Sequence, residues 1–293
     1  MRILSPKNDY LFKLIFFDEK DKNSILKNLL QDCIGFDNKQ VEEITLLDRT
    51  LDKEYELDKI IIFDVNVTLS DGTLVNVEIQ KLRQVDYIER SIYYTCRRLS
   101  RQGAKGFQYG ELKNTIALNI IDFNLFPDTE EIYSIFELKE RYRNELLSEK
   151  IRIDFLELKK MDLEELKSGN KKQLWAKYLN AESEDDLMEL RVMDKRFDEP
   201  VEKLINLSAD PTILTEYEIR ERQRMDEYAR IKYGEIEGHK RGLKEGMEKG
   251  MEKGMEKGIT EVVKRMLLLG LSDELILEAV NISLEKLNSL KSV

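Results

Sequence analysis

Residues 60 to 81, IIIFDVNVTLSDGTLVNVEIQK, read as one β-hairpin, and its turn decides which side chains share a face. Side chains alternate along a strand. Phe63, Val65, Val67 and Leu69 therefore lie on one side of the first strand, and Asp64, Asn66 and Thr68 on the other. On the second strand Val75, Val77 and Ile79 oppose Asn76, Glu78 and Gln80. A two-residue Asp71-Gly72 loop pairs Asp64 with Ile79 and mixes polar with apolar positions. A three-residue loop, Ser70-Asp71-Gly72 with Gly72 left-handed, pairs Asp64 with Glu78 and Val65 with Val77. Only the second register keeps both faces uniform, and a one-residue slip inverts every side chain. The expectation is the three-residue loop, with two carboxylates side by side.

Two acids directly opposite each other destabilise a sheet unless positive charge sits between them. A divalent cation is the usual solution, and Mg²⁺ takes one or two carboxylates together with waters and phosphate oxygens. Gln80 shares the face of Glu78 and offers hydrogen bonds without charge. The competing reading is an ordinary solvated polar face on an antiparallel hairpin.

The next segment, QVDYIERSIYYTCRRLSRQ (84 to 102), has the period of a helix. Ile88, Ile92, Cys96 and Leu99 form an apolar stripe, and the spacing predicts that it packs inward. Arg83, Arg90, Arg97 and Arg101, with Tyr87 and Tyr94, fall on the opposite face. From Arg83 to Lys105 there are six Lys or Arg against two acids, within a chain of net charge −10. A basic, aromatic-interleaved helix after a paired-acid hairpin suits a polyanion. An amphipathic helix with a solvated charged face remains the alternative.

Together, D-x13-E-x-Q on a hairpin and the following helix with ERSIYY resemble the PD-(D/E)XK nuclease superfamily. The chain is most similar to its recombination-promoting nuclease (Rpn), or transposase, branch. SPKNDYLFKLIF (5 to 16) resembles that branch's first helix. So does the tail, in its EKG units and in LLLGLSDELILEAVNISLEKL. The resemblance implies an α/β, restriction-endonuclease-like core, a mixed sheet flanked by helices, with an all-α C-terminal extension. It implies DNA cleavage with Mg²⁺, for which Mn²⁺ can substitute. Asp64 and Glu78 become metal ligands, and the backbone carbonyl of Ile79 a third. Gln80 stands where many members have a catalytic Lys, which stabilises phosphorane charge or orients water. Phe63 replaces the proline of the superfamily name. Arg90 is the better compensating cation, because Lys81 lies on the other strand face. Arg83, Arg90, Tyr94, Arg97 and Arg101 become the DNA-binding set.

Composition excludes other chemistries. The single histidine, His239, rules out multi-histidine metal sites and, placed in the charged tail, counts against a Ser-His-acid triad. No glycine-rich phosphate loop follows a strand, so no nucleotide cofactor is expected. A pI near 5.1 confines any DNA contact to a local patch. Cys33 and Cys96 both occupy apolar helical positions and read as buried, reduced thiols. No membrane-length apolar run or signal-like segment occurs, and the expectation is a cytoplasmic chain without a membrane partner.

The expected organisation is a nuclease-like core over 1–160 and a helical buttress over 161–232. A Gly-Met-Glu-Lys repeat, helix or linker, follows over 233–259, and a small helix-turn-helix-like module over 260–293. Strands are expected at 43–51, 114–126, 131–138 and 151–160, and helix boundaries at Pro200 and Pro211. Glycine recurs every four residues from Gly234 to Gly258, with Met247, Met251 and Met255 in phase. That pattern suits a helix meeting a partner, hence a homo-oligomer through the tail, or else a marginal linker. The leading expectation is a metal-dependent DNA endonuclease linked to recombination or transposition. The alternatives are a weak or inactive DNA-binding regulator on a nuclease scaffold, and an interaction protein assembled by its tail.

Overall fold

The computed structural model describes residues 2–17, 23–46, 65–103 and 107–291. The chain divides into two compact units, residues 1–221 and 222–293.

The first unit is built on a six-stranded mixed sheet. Helices α1 (Asp9–Phe16) and α2 (Ser24–Ile34) precede strand β1 (Ile44–Leu46). The hairpin forms β2 (Val65–Leu69) and β3 (Leu74–Gln80), α3 (Tyr87–Ser100) follows, and β4 (Thr115–Ile121), β5 (Tyr133–Lys139) and β6 (Leu146–Glu157) complete the sheet. Its order is β1-β2-β3-β4-β6-β5. β3, β4 and β6 run parallel, flanked by antiparallel β2 on one side and antiparallel β5 on the other. This is the restriction-endonuclease-like α/β architecture that the resemblance implied.

The turn has the predicted geometry. Val65 pairs with Val77 and Val67 with Val75, and Gly72 has φ +85°. The Gly72 N–H donates to the Leu69 carbonyl at 2.9 Å, and the Leu69 N–H to the Thr73 carbonyl at 2.9 Å. The Asp71 carboxylate accepts from the Thr73 N–H at 2.8 Å and from Gln40 at 3.1 Å. Partial burial works to raise its pKa, but these hydrogen bonds prevail and hold it below the usual carboxylate range.

One face of the sheet carries the main core. Val67, Leu69, Val75, Val77, Ile116, Leu118 and Ile120 meet Leu11, Phe12, Ile15 and Phe16 of α1 and Leu26, Leu29 and Leu30 of α2. Asn8 caps α1, accepting from the Tyr10 and Leu11 amides. Four helices follow the sheet: α4 (Leu163–Lys167), α5 (Lys171–Asn180), α6 (Glu184–Met193) and α7 (Asp198–Ala209). Trp175 centres their packing, with ring centroids 5.8 Å from Phe16 and 4.8 Å from Phe197, and its indole N–H donates to Asp32 at 2.9 Å. α8 (Pro211–Leu268) begins at the predicted proline, and Tyr217 joins the same core.

The other face is covered by α3, and here the prediction fails. The residues α3 buries are Tyr87, Ser91 and Thr95. Ile88 and Ile92 are 37% and 46% exposed, and Cys96 is exposed while Cys33 is buried. Tyr87, expected on the arginine face, is 1% exposed, its ring edge-on to Phe123 at 5.7 Å. The cause is the surface α3 meets. β4 presents Asn119, whose Oδ1 accepts from Tyr87 Oη and Ser91 Oγ, each at 3.2 Å. A polar patch on the sheet selects the hydroxyl stripe of the helix.

Two buried ion pairs fix the far strands. Arg152 grips Asp154 in bidentate fashion at 2.8 and 2.6 Å, and Tyr133 Oη donates to Asp154 at 2.6 Å. Burial outweighs these partners and leaves the Asp154 pKa raised. Glu157 accepts from the Leu125 amide at 2.6 Å and meets Lys160 at 2.6 Å, which pins the loop after β4.

The second unit contains the remainder of α8, then α9 (Asp273–Val280) and α10 (Leu284–Lys291). Gly234 to Gly258 all lie within α8, so the repeat is helical. Val263, Ile276 and Leu287 form a small core. Gly270, φ +77°, ends α8, and Ser283 Oγ accepts from the Lys286 amide at 3.3 Å at the start of α10. Among the described residues no helix is long and apolar enough to cross a membrane.

Candidate active site

Glu78 lies near the carboxyl end of β3 on the α3 side of the sheet and is 4% exposed. The Arg90 guanidinium reaches down from α3, with Nη2 2.8 Å from Glu78 Oε1. Arg90 is itself held by a hydrogen bond to Gln84 and lies over the Tyr87 ring, 5.2 Å from its centroid. In the parallel register Glu78 stands beside Asn119. Asn119 uses its whole amide: Nδ2 donates to the Asp154 carbonyl at 3.0 Å, and Oδ1 receives the Tyr87 and Ser91 hydroxyls. The chain of contacts Glu78–Arg90–Tyr87–Asn119 therefore fixes α3 over the sheet.

Gln80 is half-buried, and its Nε2 donates to the Leu82 carbonyl at 3.0 Å. Backbone direction alternates along β3. The Leu74 N–H donates to Asn114 and the Gln80 carbonyl accepts from Asp122, so even-numbered residues bond toward β4. Thr73 accepts from Leu69, so odd-numbered residues bond toward β2. By this alternation the Ile79 carbonyl is directed to the β2 side, past Val65, where the described part of β2 begins. Asp64 lies outside the described residues.

Arg90, Tyr94, Arg97 and Arg101 recur at helical spacing along one flank of α3, and of these Arg90 reaches Glu78 on β3. Arg83 is exposed, with Nη1 3.5 Å from the Asn124 carbonyl, and sits in the turn before the helix. Lys81 points to the opposite side, as strand parity predicted, and pairs with Glu221 at 3.2 Å. Lys7 reaches the end of β4, where it pairs with Asp122 at 2.8 Å.

A protein-family model described as PD-(D/E)XK nuclease family transposase matches residues 6–234. The chain belongs to this family. No curated protein and no solved structure matches it. Membership in the PD-(D/E)XK family supports a nuclease-type function, and these nucleases generally use divalent metals.

Among the described residues no three His, Cys, Asp or Glu side chains converge on one point. The described donors around Glu78 are of the oxygen type that a hard cation takes: one buried carboxylate, ion-paired here with Arg90, and the amide oxygens of Asn76 and Gln80 on the same strand face. His239 belongs to the second unit. Asn119 and Gln84 escaped the sequence reading. For Asn119 a signal existed, since one amide inside the apolar run TIALNII needs a partner.

Proposed function

We propose that this chain is a metal-dependent DNA endonuclease that hydrolyses phosphodiester bonds and serves recombination or transposition. The observation that carries the proposal is Glu78, a carboxylate withdrawn from water on the sheet, with a guanidinium against it and an arginine-lined helix flank alongside. The β2–β3 register supports the rest. Val65↔Val77 is the register of the three-residue loop, the one in which the sequence leads us to expect Asp64 opposite Glu78.

In this reading Asp64, Glu78 and the Ile79 carbonyl hold the ion. A divalent metal supplies an activated water and offsets charge at phosphorus. Gln80 orients water or a phosphate oxygen through its amide and contributes no charge. Arg90, beside Glu78, provides the nearest cation for the phosphate. Arg83, Tyr94, Arg97 and Arg101 extend along the strand backbone, a sequence-independent contact set suited to local binding by an acidic chain. The test is supercoiled plasmid with Mg²⁺ or Mn²⁺: conversion to nicked or linear product is expected, and an inert protein under both metals removes the enzymatic part.

A second reading is a weak or inactive DNA-binding regulator on a nuclease scaffold. It is favoured by Gln80, whose Nε2 already donates to the Leu82 carbonyl, and by Arg90, which is already paired with Glu78. DNA binding that survives EDTA, without nicking, distinguishes it. We also propose self-association through the second unit, because Leu243, Met247, Met251 and Met255 form an exposed stripe on α8. Replacing the three methionines by lysine should lower the mass seen by light scattering, and an unchanged mass removes the stripe from assembly.

A further inference from the structure

β5 is the last strand of the sheet, and among the described residues no strand pairs with its outer edge. The direction of its backbone groups follows from two bonds. The Glu157 N–H donates to the Ile132 carbonyl and the Glu140 N–H to the Glu145 carbonyl, each at 2.8 Å. Ile132 and Glu140 therefore bond toward β6, and alternation directs the N–H and C=O groups of Ile135 and Glu137 outward. The register shift after Glu137 is absorbed on β6, where Glu149 to Ile151 are extra, so the edge of β5 runs unbroken. Its side chains are apolar and open: Ile135, Phe136 and Leu138 are 49%, 46% and 49% exposed. The Phe136 ring centroid lies 5.1 Å from that of Phe126 and 5.7 Å from that of Phe155, yet nearly half of the residue meets water. An unpaired apolar edge is a template for another strand.

Charge selects the strand that fits. β5 carries one acid and one base, Glu137 and Lys139, ion-paired at 3.1 Å. In a chain of net charge −10 this edge is neutral, so two copies meet on it without like-charge repulsion. Antiparallel pairing about a two-fold axis places one residue opposite its own copy. Centred on Glu137, it sets like charges against each other. Centred on Leu138, it leaves a short ladder, because β5 ends at Lys139. Centred on Phe136, it uses all 7 residues of the strand. Ile135 then exchanges backbone hydrogen bonds with Glu137 of the partner subunit, and both outward sets of groups are satisfied. We propose that β5 is a self-association edge: a second copy of this chain adds its β5 antiparallel, centred on Phe136, and joins two six-stranded sheets into one. Phe136 meets Phe136 of the partner subunit and extends the cluster of Phe126 and Phe155 across the boundary. The edge belongs to the first unit, apart from the α8 stripe, and the inference does not depend on the chemistry at Glu78.

The experiment is disulfide cross-linking of the full-length chain with oxidised glutathione, in a Cys96→Ser background because Cys96 is exposed. In this register Phe136 and its copy form a non-hydrogen-bonded pair with Cα atoms about 4.5 Å apart, within the disulfide range of about 4.4–6.8 Å. Phe136→Cys should therefore run as a covalent dimer. Ser134 lies four residues along the strand from its own copy, roughly 13 Å, so Ser134→Cys alone should stay monomeric on a denaturing gel. The double variant Ser134→Cys with Leu138→Cys should cross-link, because those positions face each other across the boundary. Adding Ile135→Pro to it removes an outward N–H and spares the β6 ladder, and should slow cross-linking by about 10-fold at limiting protein concentration. No covalent dimer from Phe136→Cys, or equal cross-linking by Ser134→Cys alone, overturns the inference, as does an unchanged rate with Ile135→Pro. Should Phe136→Cys not fold, the double variant decides, and its failure to cross-link overturns the inference. Assembly through the second unit alone produces none of this dependence on position.

Discussion

Arg90 Nη2 lies 2.8 Å from Glu78 Oε1, and both side chains are largely withdrawn from solvent. A carboxylate in such a place needs positive charge nearby, and a guanidinium from α3 supplies it.

Arg90→Ala leaves Glu78 without that guanidinium. The fold should lose about 2–3 kcal/mol in urea unfolding at neutral pH with EDTA, and millimolar Mg²⁺ should restore part of it. Equal stability with and without Arg90 would remove the guanidinium from the account.

Tyr87→Phe removes one of two hydroxyls on Asn119 and keeps the ring between Phe123 and Phe155. A loss of about 1 kcal/mol is expected. Tyr87→Ala should cost about 3–5 kcal/mol, because it empties the contact that seats α3. Similar unfolding midpoints for the two variants would contradict the packing role.

Gly72→Ala forces a Cβ onto a residue at φ +85° and within 3.0–3.3 Å of the Lys113 side chain. Lys113 can move, but the backbone cannot, so the cost should be about 1–2 kcal/mol. Unfolding measurements on this variant test whether the left-handed glycine holds the register that aligns the site strand.

Asp194 is held below the usual carboxylate range, first by the Arg196 guanidinium, against partial burial, and then by Lys171. A depressed pKa in the folded state means that the group contributes stability above its unfolded pKa of about 4. That contribution is lost as pH falls toward the folded value. Asp194→Asn should therefore flatten the acid limb of the stability–pH curve below about pH 4 and lower stability at neutral pH. An unaltered acid limb would show that the pair is not coupled to folding.

Much of this was legible in the sequence because it rests on local rules. Gly72 and the alternation of Val75, Val77 and Ile79 against Glu78 and Gln80 determine the register without tertiary information. The face of α3 was misread for the opposite reason. Its apolar letters predict burial of Ile88 and Ile92, yet the partner surface is chosen by Asn119 on a strand encountered only later in the chain. The extent of β6 was hidden too. Ser148, Glu149 and Lys150 look like loop, but the strand continues through them, paired to β5 across register shifts near Leu138. The glycine repeat left helix and linker equally open, and its place within α8 favours the helix.

The central claim is that phosphodiester chemistry belongs to the acid pair on this hairpin. The most direct measurement is nicking of supercoiled plasmid in Mg²⁺ or Mn²⁺ by wild type, Asp64→Ala and Glu78→Ala, with melting temperatures showing that all three are folded. The account predicts nicking by wild type and its loss in both variants. Nicking that persists in either folded variant would contradict it.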